Sequence, residues 1–228
     1  MSILFCDVVG FTAASENADP EDVQARMEAY YSRLRSEIES FGGTVAKFIG
    51  DAVMAVFGVP TIHEDDAERA VRAGLRVIEA ISELNDSSPE LKLAVRVGVN
   101  TGEVVVSSGA DGEPVVLGDV VNTASRIQSS APVGGVAVGE ETYRATERIF
   151  RWEDLAAVTA KGKMEPIVVW RPLEAIARFG SDVLRRLATP LVGRETDFAL
   201  LRGLFDRTVR ESEVQLVTLM GEPGVGKS

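Results

Sequence analysis

Two aspartates occupy positions from which a carboxylate could do chemistry. Asp7 lies inside the apolar run 4–9, and Asp51 lies between the apolar runs 44–49 and 52–57. A carboxylate within an apolar strand is costly to bury unless it is paired with a cation or bound to a metal. The ordinary alternatives are a solvent-facing strand end for Asp7 and a simple turn residue for Asp51, and the pattern alone leaves both open.

Basic and amide side chains follow at defined spacings. Lys47 lies in the strand-like run before Asp51, and Arg96 lies between two valines. Asn122 and Arg126 are four residues apart in a helical segment, so they share one face of that helix. A lysine in an apolar strand requires a partner, although a lysine that protects a sheet edge from aggregation is an equally good explanation.

Turn and helix signals predict the frame that must position these residues. The runs 44–49 and 52–57 flank Gly50-Asp51, which predicts a β-hairpin with Asp51 at its tip. Helix-start and helix-stop residues predict helices over 20–41, 64–84 and 119–130. Further strands are predicted over 2–9, 91–100, 103–107, 136–138, 149–158 and 167–170, with a second hairpin turn at 101–102 and a glycine-rich loop over 108–114. Strands interleaved with packing helices indicate an α+β fold of the ferredoxin-like kind, with a sheet rich in antiparallel strands.

The composition limits the classes of function. The chain has 228 residues, 45% of them hydrophobic, which suits one full domain and part of a second. Its formal net charge of −11 argues against non-specific binding to nucleic acid or to an anionic membrane. There is no apolar run of about 20 residues and no signal peptide, and the single cysteine, Cys6, excludes an internal disulfide. These features predict a cytoplasmic protein without a membrane segment.

The last part of the chain has a different character. Residues 172–190 are predicted as a linker, and 191–228 as the start of a second domain with a helix over 195–210 and a strand over 214–220. That strand leads into the phosphate-binding pattern G-x-x-x-x-G-K-S, whose fixed residues are Gly221, Gly226, Lys227 and Ser228. The helix whose N-terminus would hold the phosphates does not follow, so we expect a truncated P-loop ATPase domain and assign no ATP hydrolysis to it.

Four motifs resemble, in order and spacing, the catalytic domain of the class III adenylate and guanylate cyclases. They span residues 4–12, 47–51, 96–98 and 118–126. The resemblance covers 1–171 and implies the class III cyclase fold and the conversion of ATP to 3′,5′-cyclic AMP and pyrophosphate. Residues 191–228 resemble the start of the signal-transduction ATPases that are often joined to such cyclases in bacteria, which implies a further ATPase domain in a longer parent protein.

The resemblance implies a metal site and a substrate site. Asp7, Asp51 and the backbone carbonyl of Val8 would bind two Mg²⁺ or Mn²⁺ ions, which prefer hard oxygen ligands. The other implied roles are contact with the phosphates, binding of the terminal phosphates, orientation of the ribose and stabilisation of charge at the α-phosphate. Gly10, Phe11 and Thr12 would contact the phosphates, and Arg96 and Lys161 would bind the terminal phosphates. Asn122 would orient the ribose, and Arg126 would stabilise the charge at the α-phosphate.

The resemblance also implies a homodimer with two sites, each formed between two chains. One chain would supply both aspartates and Arg96, and the other would supply Lys47, Asn122, Arg126 and Lys161. Lys47 and Asp51 would therefore serve different sites, although they are close in sequence.

One position departs from the family pattern. Members read adenine with a lysine, here Lys47, and with an Asp or Thr three residues before the glycine that precedes the Asn/Arg helix. That position is Val115, which accepts no hydrogen bond from the adenine amino group, and a lost contact of this kind costs about 1–3 kcal/mol. Glu113 lies close enough in the loop to substitute. Lys47 still favours ATP, because guanylate-specific relatives usually carry an acidic residue there.

Three interpretations of function follow. The first is an active adenylate cyclase. The second is a catalytically weak or inactive cyclase-like module for dimerisation or nucleotide sensing that regulates the ATPase. A variant of this alternative is a cyclase of relaxed, partly guanylate, specificity. Val115 is the residue that supports both. The third is an ATPase fragment, which Lys227 and Ser228 support and the truncation weakens.

Overall fold

The structure is a computed structural model that describes residues 1–10, 20–88, 92–108, 114–159, 166–177, 179, 193, 195–211, 214 and 216–218. The chain divides into two units, Met1–Leu184 and Arg185–Ser228, and each is described by itself.

A seven-stranded mixed sheet forms the centre of the first unit. Its strands are β1 (Ser2–Val8), β2 (Thr44–Ile49), β3 (Ala52–Phe57), β4 (Val95–Thr101), β7 (Gly135–Gly139), β8 (Phe150–Asp154) and β9 (Val169–Ala175). They lie in the order β2-β3-β1-β4-β7-β9-β8. The β4–β7 pair is parallel, and the other neighbours are antiparallel. Two further strands, β5 (Val105–Ser108) and β6 (Pro114–Leu117), form a separate antiparallel pair.

Helices cover both faces of this sheet. They are α1 (Pro20–Ser40), α2 (Asp66–Ser87), α3 (Asp119–Ser130) and α4 (Glu140–Thr146). The larger core cluster joins α1 and α2 to one face, and a smaller cluster joins α3 and β6 to the other. Within the described part of the chain, no helix combines the length and the apolar character needed to cross a membrane.

Alternation along β1 decides which face carries Asp7. Cys6 and Val8 pack in the cluster with α1 and α2, whereas Ile3 and Phe5 pack in the cluster with α3. Because successive side chains of a strand point to opposite faces, Asp7 shares the face of Ile3 and Phe5. Arg96 lies directly opposite Asp7 across the β1–β4 pair and so shares that face as well.

The approach of α3 to β4 requires a glycine. A Cβ atom at Gly98 would lie 2.3 Å from the backbone nitrogen of Gln128 and 2.7 Å from the carbonyl oxygen of Ala124. Both contacts are with backbone, which cannot rotate away. The missing side chain therefore lets the helix that carries Asn122 and Arg126 lie directly on the central strand.

The chain leaves β9 along α2. In this exit segment, which consists of residues 176, 177 and 179, the carbonyl of Ala177 accepts a hydrogen bond from Arg72 Nη2 at 2.7 Å. The Phe179 ring lies under the guanidinium groups of Arg69 and Arg72, 5.1 and 5.4 Å from its centroid. The exit segment is thus attached to α2 by a polar and an aromatic contact.

Most of the predicted elements are present. The hairpin forms with the predicted bounds, and Ile49 pairs with Ala52 across the two-residue turn. Helix α3 has the predicted bounds, α1 ends one residue earlier than predicted, and α2 begins two residues and ends three residues later than predicted. The mixed sheet packed with helices agrees with the predicted α+β class.

In the first unit, three elements depart from the predictions. Residues 101–102 do not connect a hairpin, because β5 pairs with β6, across the predicted 108–114 loop, and not with β4. The strand predicted over 167–170 is longer, since β9 continues to Ala175, inside the predicted linker 172–190. Helix α4 was not predicted at all, because it follows the buried strand β7 with no separating turn residue beyond Gly139.

The second unit is described mainly through one helix. Helix α5 (Glu195–Glu211) agrees with the prediction for 195–210 and exposes the large apolar side chains Phe198, Leu200, Phe205 and Val209. The described residues of the predicted strand 214–220, which are 214 and 216–218, form no strand. Gly221, Gly226, Lys227 and Ser228 lie outside the described residues, so the predicted phosphate-binding loop stays a prediction.

Candidate active site

Two carboxyl groups face each other at one end of the sheet. β1 runs antiparallel to β3 with Cys6 opposite Val53, which brings Asp7 beside the turn that carries Asp51. The two side chains are close enough to share a hydrogen bond when one is protonated. Partial burial and the neighbouring Asp51 carboxylate raise the pKa of Asp7 above its usual value, and Arg96 opposes this rise. The arrangement favours either a shared proton or a bound cation.

The donor set fits a hard divalent ion. Asp7 and Asp51 supply carboxylate oxygens, and the carbonyl of Val8 follows directly on β1. No third His, Cys, Asp or Glu side chain joins them to make a metal-binding group within the residues that the structure describes. Mg²⁺ commonly takes one or two carboxylates and completes its shell with water and substrate phosphates. These two aspartates can therefore hold Mg²⁺ or Mn²⁺ without further acidic residues.

Arg96 places a cation next to the aspartate pair. Its Nη1 donates to the carbonyl of Ser129 at the end of α3, at 3.4 Å. Its Nε is buried and has no hydrogen-bond partner among the described residues. A buried donor without a partner is costly, so the guanidinium retains capacity for an anion.

The other predicted substrate-binding residues are arranged differently. Lys47 is exposed on β2 opposite Met54, on the same face as Asp7. Asn122 is exposed and Arg126 is half-buried on α3, whose buried side chains are Thr123, Ala124, Ile127 and Gln128. The charges that act most strongly on Asp7 are those of Asp51 and Arg96. The structure of one chain thus brings Asp7, Asp51 and Arg96 together and leaves Lys47 and Asn122 exposed.

Several predicted residues can be described only in part. Gly10 is exposed and adopts φ +74°, a left-handed conformation that suits glycine. Val115 lies in β6 opposite Ser107, and only its backbone is described. Phe11, Thr12 and Lys161 lie outside the described residues.

Two tyrosines that the sequence pattern did not single out contact the site. The Tyr30 hydroxyl donates to the carbonyl of Asp51 at 3.2 Å, and the Tyr31 hydroxyl donates to the carbonyl of Gly50. A hydrogen bond of 3.5 Å also joins the Tyr30 hydroxyl and Cys6 Sγ. Burial raises the pKa of the Tyr30 phenol well above its usual value and that of the Cys6 thiol to about 12. Both groups therefore keep their protons at neutral pH.

Comparison with known proteins identifies the family. Residues 1–171 match the model of the family described as the adenylate and guanylate cyclase catalytic domain. An adenylate cyclase of Mycobacterium tuberculosis is 31% identical over 71% of this chain and 37% of its own length. The chain belongs to the adenylate and guanylate cyclase family.

Solved structures of both specificities share the fold. The adenylyl cyclase CyaB from P. aeruginosa is similar with a TM-score of 0.72 and 28% identity, covering 78% of this chain and 94% of that one. The guanylyl cyclase Cya2 is similar with a TM-score of 0.74 and 32% identity, again covering 78% of this chain and 94% of that one. The chain spans 22% and 37% of the lengths of two curated relatives that it matches. The matches support a cyclase catalytic domain and leave its base specificity open.

Proposed function

We propose that this chain is an adenylate cyclase that converts ATP to 3′,5′-cyclic AMP and pyrophosphate at a site shared by two copies of the chain. The observation that carries the proposal is the facing pair of Asp7 and Asp51 beside Arg96, in a chain of the cyclase family. The attached P-loop ATPase domain is proposed only from the sequence pattern.

The chemistry requires an oxygen nucleophile and a good leaving group. The ribose 3′-oxygen attacks the α-phosphorus, the bond from that phosphorus to the bridging oxygen breaks, pyrophosphate leaves, and the hydroxyl proton passes to solvent. Divalent ions held by Asp7, Asp51 and the Val8 carbonyl would lower the pKa of the 3′-hydroxyl and neutralise phosphate charge.

The residues of the chain supply binding and orientation. Arg96 has an unused buried donor from which to bind terminal phosphates, together with Lys161. Arg126 would stabilise charge that develops at the α-phosphate, Asn122 would orient the ribose, and the backbone at Gly10, Phe11 and Thr12 would contact the phosphates. Fixed charges and dipoles of this type commonly give the largest share of catalysis in phosphoryl transfer.

A second copy explains the residues that one chain leaves at the surface. Lys47 and Asn122 each belong to a family motif, yet both are exposed in the single chain. The β5–β6 pair next to α3 also exposes apolar residues, with Val105 at 67% and Leu117 at 58% exposure. Exposed apolar residues near exposed polar residues of the family motifs fit an isologous dimer in which each chain completes the site of the other.

The central experiment measures cyclic AMP made from ATP with Mn²⁺. We expect product from the wild-type chain and a loss of at least about 100-fold in Asp51→Ala, because the metal loses a carboxylate ligand. Asp154→Ala is the matched control, since Asp154 lies exposed on β8 at the sheet edge. Absence of product from the wild-type dimer would refute the proposal and favour a cyclase-like regulatory module.

Base specificity is tested at Lys47. We expect the wild-type chain to use ATP faster than GTP, and Lys47→Glu to lower the ATP-to-GTP ratio of kcat/KM by about tenfold or more, since a polar contact to the base is worth 1–3 kcal/mol. Arg148→Glu makes the same change of charge at an exposed loop position and should leave the ratio unchanged. Equal ATP and GTP rates in the wild type would support the relaxed specificity that Val115 suggests.

A further inference from the structure

We propose that Tyr30 and Tyr31 of α1 are positioning residues that hold the Asp51 turn at the distance from β1 that the metal site needs. The inference rests on the proposed function, since it assigns Asp7 and Asp51 a common metal. Neither tyrosine is expected to touch the nucleotide or the reacting atoms.

The turn receives hydrogen bonds from outside the hairpin. Gly50 and Asp51 are its two central residues, and Gly50 adopts φ +61° with nothing within 4 Å of its missing Cβ. Both carbonyls of this short turn accept hydrogen bonds from tyrosines of α1, from Tyr30 at Asp51 and from Tyr31 at Gly50. The two hydroxyls therefore fix the backbone from which the Asp51 side chain projects.

The Tyr30 hydroxyl lies between the two segments that carry the aspartates. It donates to the Asp51 carbonyl and is hydrogen-bonded to Cys6 Sγ, and Cys6 directly precedes Asp7. Tyr30 is fully buried in the core between the sheet and α1. One immobile hydroxyl thus sets the spacing between β1 and the turn.

The Tyr31 ring also packs against a side chain of β2. It packs against Phe48 of β2 with centroids 4.6 Å apart, and the Arg35 guanidinium lies 5.3 Å from the Phe48 centroid. The Tyr30 and Tyr31 rings are 5.4 Å apart. A side chain whose rotamer is fixed by packing can position a ligand-bearing segment. Where a hydrogen bond supports a metal ligand directly, its loss typically costs about 10–100-fold in metal affinity or activity, and we expect an effect at the low end of that range from a bond to the ligand's backbone.

The test measures Mn²⁺ binding to the full chain without nucleotide, by electron paramagnetic resonance of the free ion. We expect Tyr30→Phe and Tyr31→Phe to weaken Mn²⁺ binding by about tenfold each, because each variant removes one hydroxyl and keeps its ring. Tyr143→Phe is the matched control, since Tyr143 is the third tyrosine and stacks on Trp170 at 4.4 Å, away from the turn. Asp51→Ala defines the value for a disrupted site.

Turnover gives a second readout. Both variants should need more Mn²⁺ for half-maximal rate while kcat at saturating Mn²⁺ returns to within about twofold of wild type, a split that general loss of folded protein would not produce. Wild-type Mn²⁺ affinity in both folded variants would overturn the inference. If Tyr30→Phe fails to fold, Tyr31→Phe, at the more exposed of the two sites, decides.

The two proposals fail separately. Tyrosine-dependent Mn²⁺ binding in a wild-type chain that makes no cyclic nucleotide would keep the positioning role and remove the cyclase activity. Cyclic AMP formation, together with Mn²⁺ affinity that is unchanged when either hydroxyl is removed, would keep the cyclase activity and remove the positioning role.

Discussion

Cys6 and Asp7 are neighbours on β1 that face opposite sides of the sheet. Cys6 is completely buried in the core under α1, and burial raises the pKa of its thiol to about 12. Asp7 lies on the α3 face beside Asp51, where it remains partly accessible. One step along the strand separates an inert side chain from one that can bind a metal.

This contrast predicts the reactivity of the thiol. At pH 8 we expect Cys6 to react with iodoacetamide at least about 100-fold more slowly in the folded chain than in urea, because the raised pKa removes the thiolate and burial removes access. Mass spectrometry of quenched samples measures the rate. Labelling of the native chain as fast as of the unfolded chain would contradict the buried position.

At the scale of elements, α3 packs so closely on β4 that position 98 of the strand can carry no side chain. Gly98→Ala would place a methyl group within van der Waals overlap of the Gln128 and Ala124 backbone. The helix must then move away from β4. The Arg96 guanidinium, which donates a hydrogen bond to Ser129 of this helix, would shift as well.

We therefore expect Gly98→Ala to lower the free energy of unfolding by about 1–3 kcal/mol, the usual cost of overpacking a core. Cyclic AMP formation should fall as well, since α3 carries Asn122 and Arg126. Urea denaturation measures the first effect and the cyclase assay the second. A variant with unchanged stability would mean that α3 lies further from β4 than the structure has it.

Helix α2 provides a second test at the same scale. Arg72 pairs with Glu68 at 2.8 Å, and the two side chains are only 16% and 2% exposed. We expect Arg72→Ala to cost about 3 kcal/mol, because it removes the guanidinium from a buried carboxylate and releases the exit segment. Arg76→Ala on the same helix is the control and should cost less, because its partners Glu79 and Glu83 are exposed. Its third partner, Glu37, is only 13% exposed but keeps an ion pair with Arg33 when Arg76 is removed. Equal losses in the two variants would contradict this difference.

At the scale of the whole molecule, the proposed shared site predicts complementation. Asp51→Ala and Arg126→Ala chains should each be inactive alone, because each site in either homodimer lacks one required group. Mixed in equal amounts and allowed to exchange, they should recover about a quarter of wild-type activity, since half of the dimers are mixed and each of those has one intact site. Full activity in either single variant, or none after exchange, would contradict a site built from two chains.

Local signals account for what the sequence predicted well. Gly50-Asp51 marks its turn and Gly118 marks the start of α3, so both elements have the predicted bounds. Gly102 carried the same signal and misled the prediction. Its N–H donates to the carbonyl of Met1, and a Cβ there would lie 2.6 Å from Val120 Cγ2. That glycine is required by packing between elements distant in sequence, which local patterns do not report.

The candidate site divides in the same way. Asp7 and Arg96 could be singled out as charges within apolar strands and Asp51 as the tip of a predicted hairpin, and the sheet brings the three together. Tyr30 and Tyr31 could not, because a tyrosine on a helix is an ordinary core residue until the packing shows which carbonyl its hydroxyl reaches. Their contribution depends on tertiary structure and has no signature in spacing.

The exit segment also has a mechanical consequence. Because Ala177 and Phe179 are attached to Arg72 and Arg69, tension applied to the chain beyond residue 179 loads the side chains of α2 before it can peel β9 from the sheet. β9 lies between β7 and β8, so its hydrogen bonds on both sides would share the remaining force. A pull from the C-terminal side is therefore delivered to a helix of the catalytic core, and the strand order protects the sheet itself from unzipping.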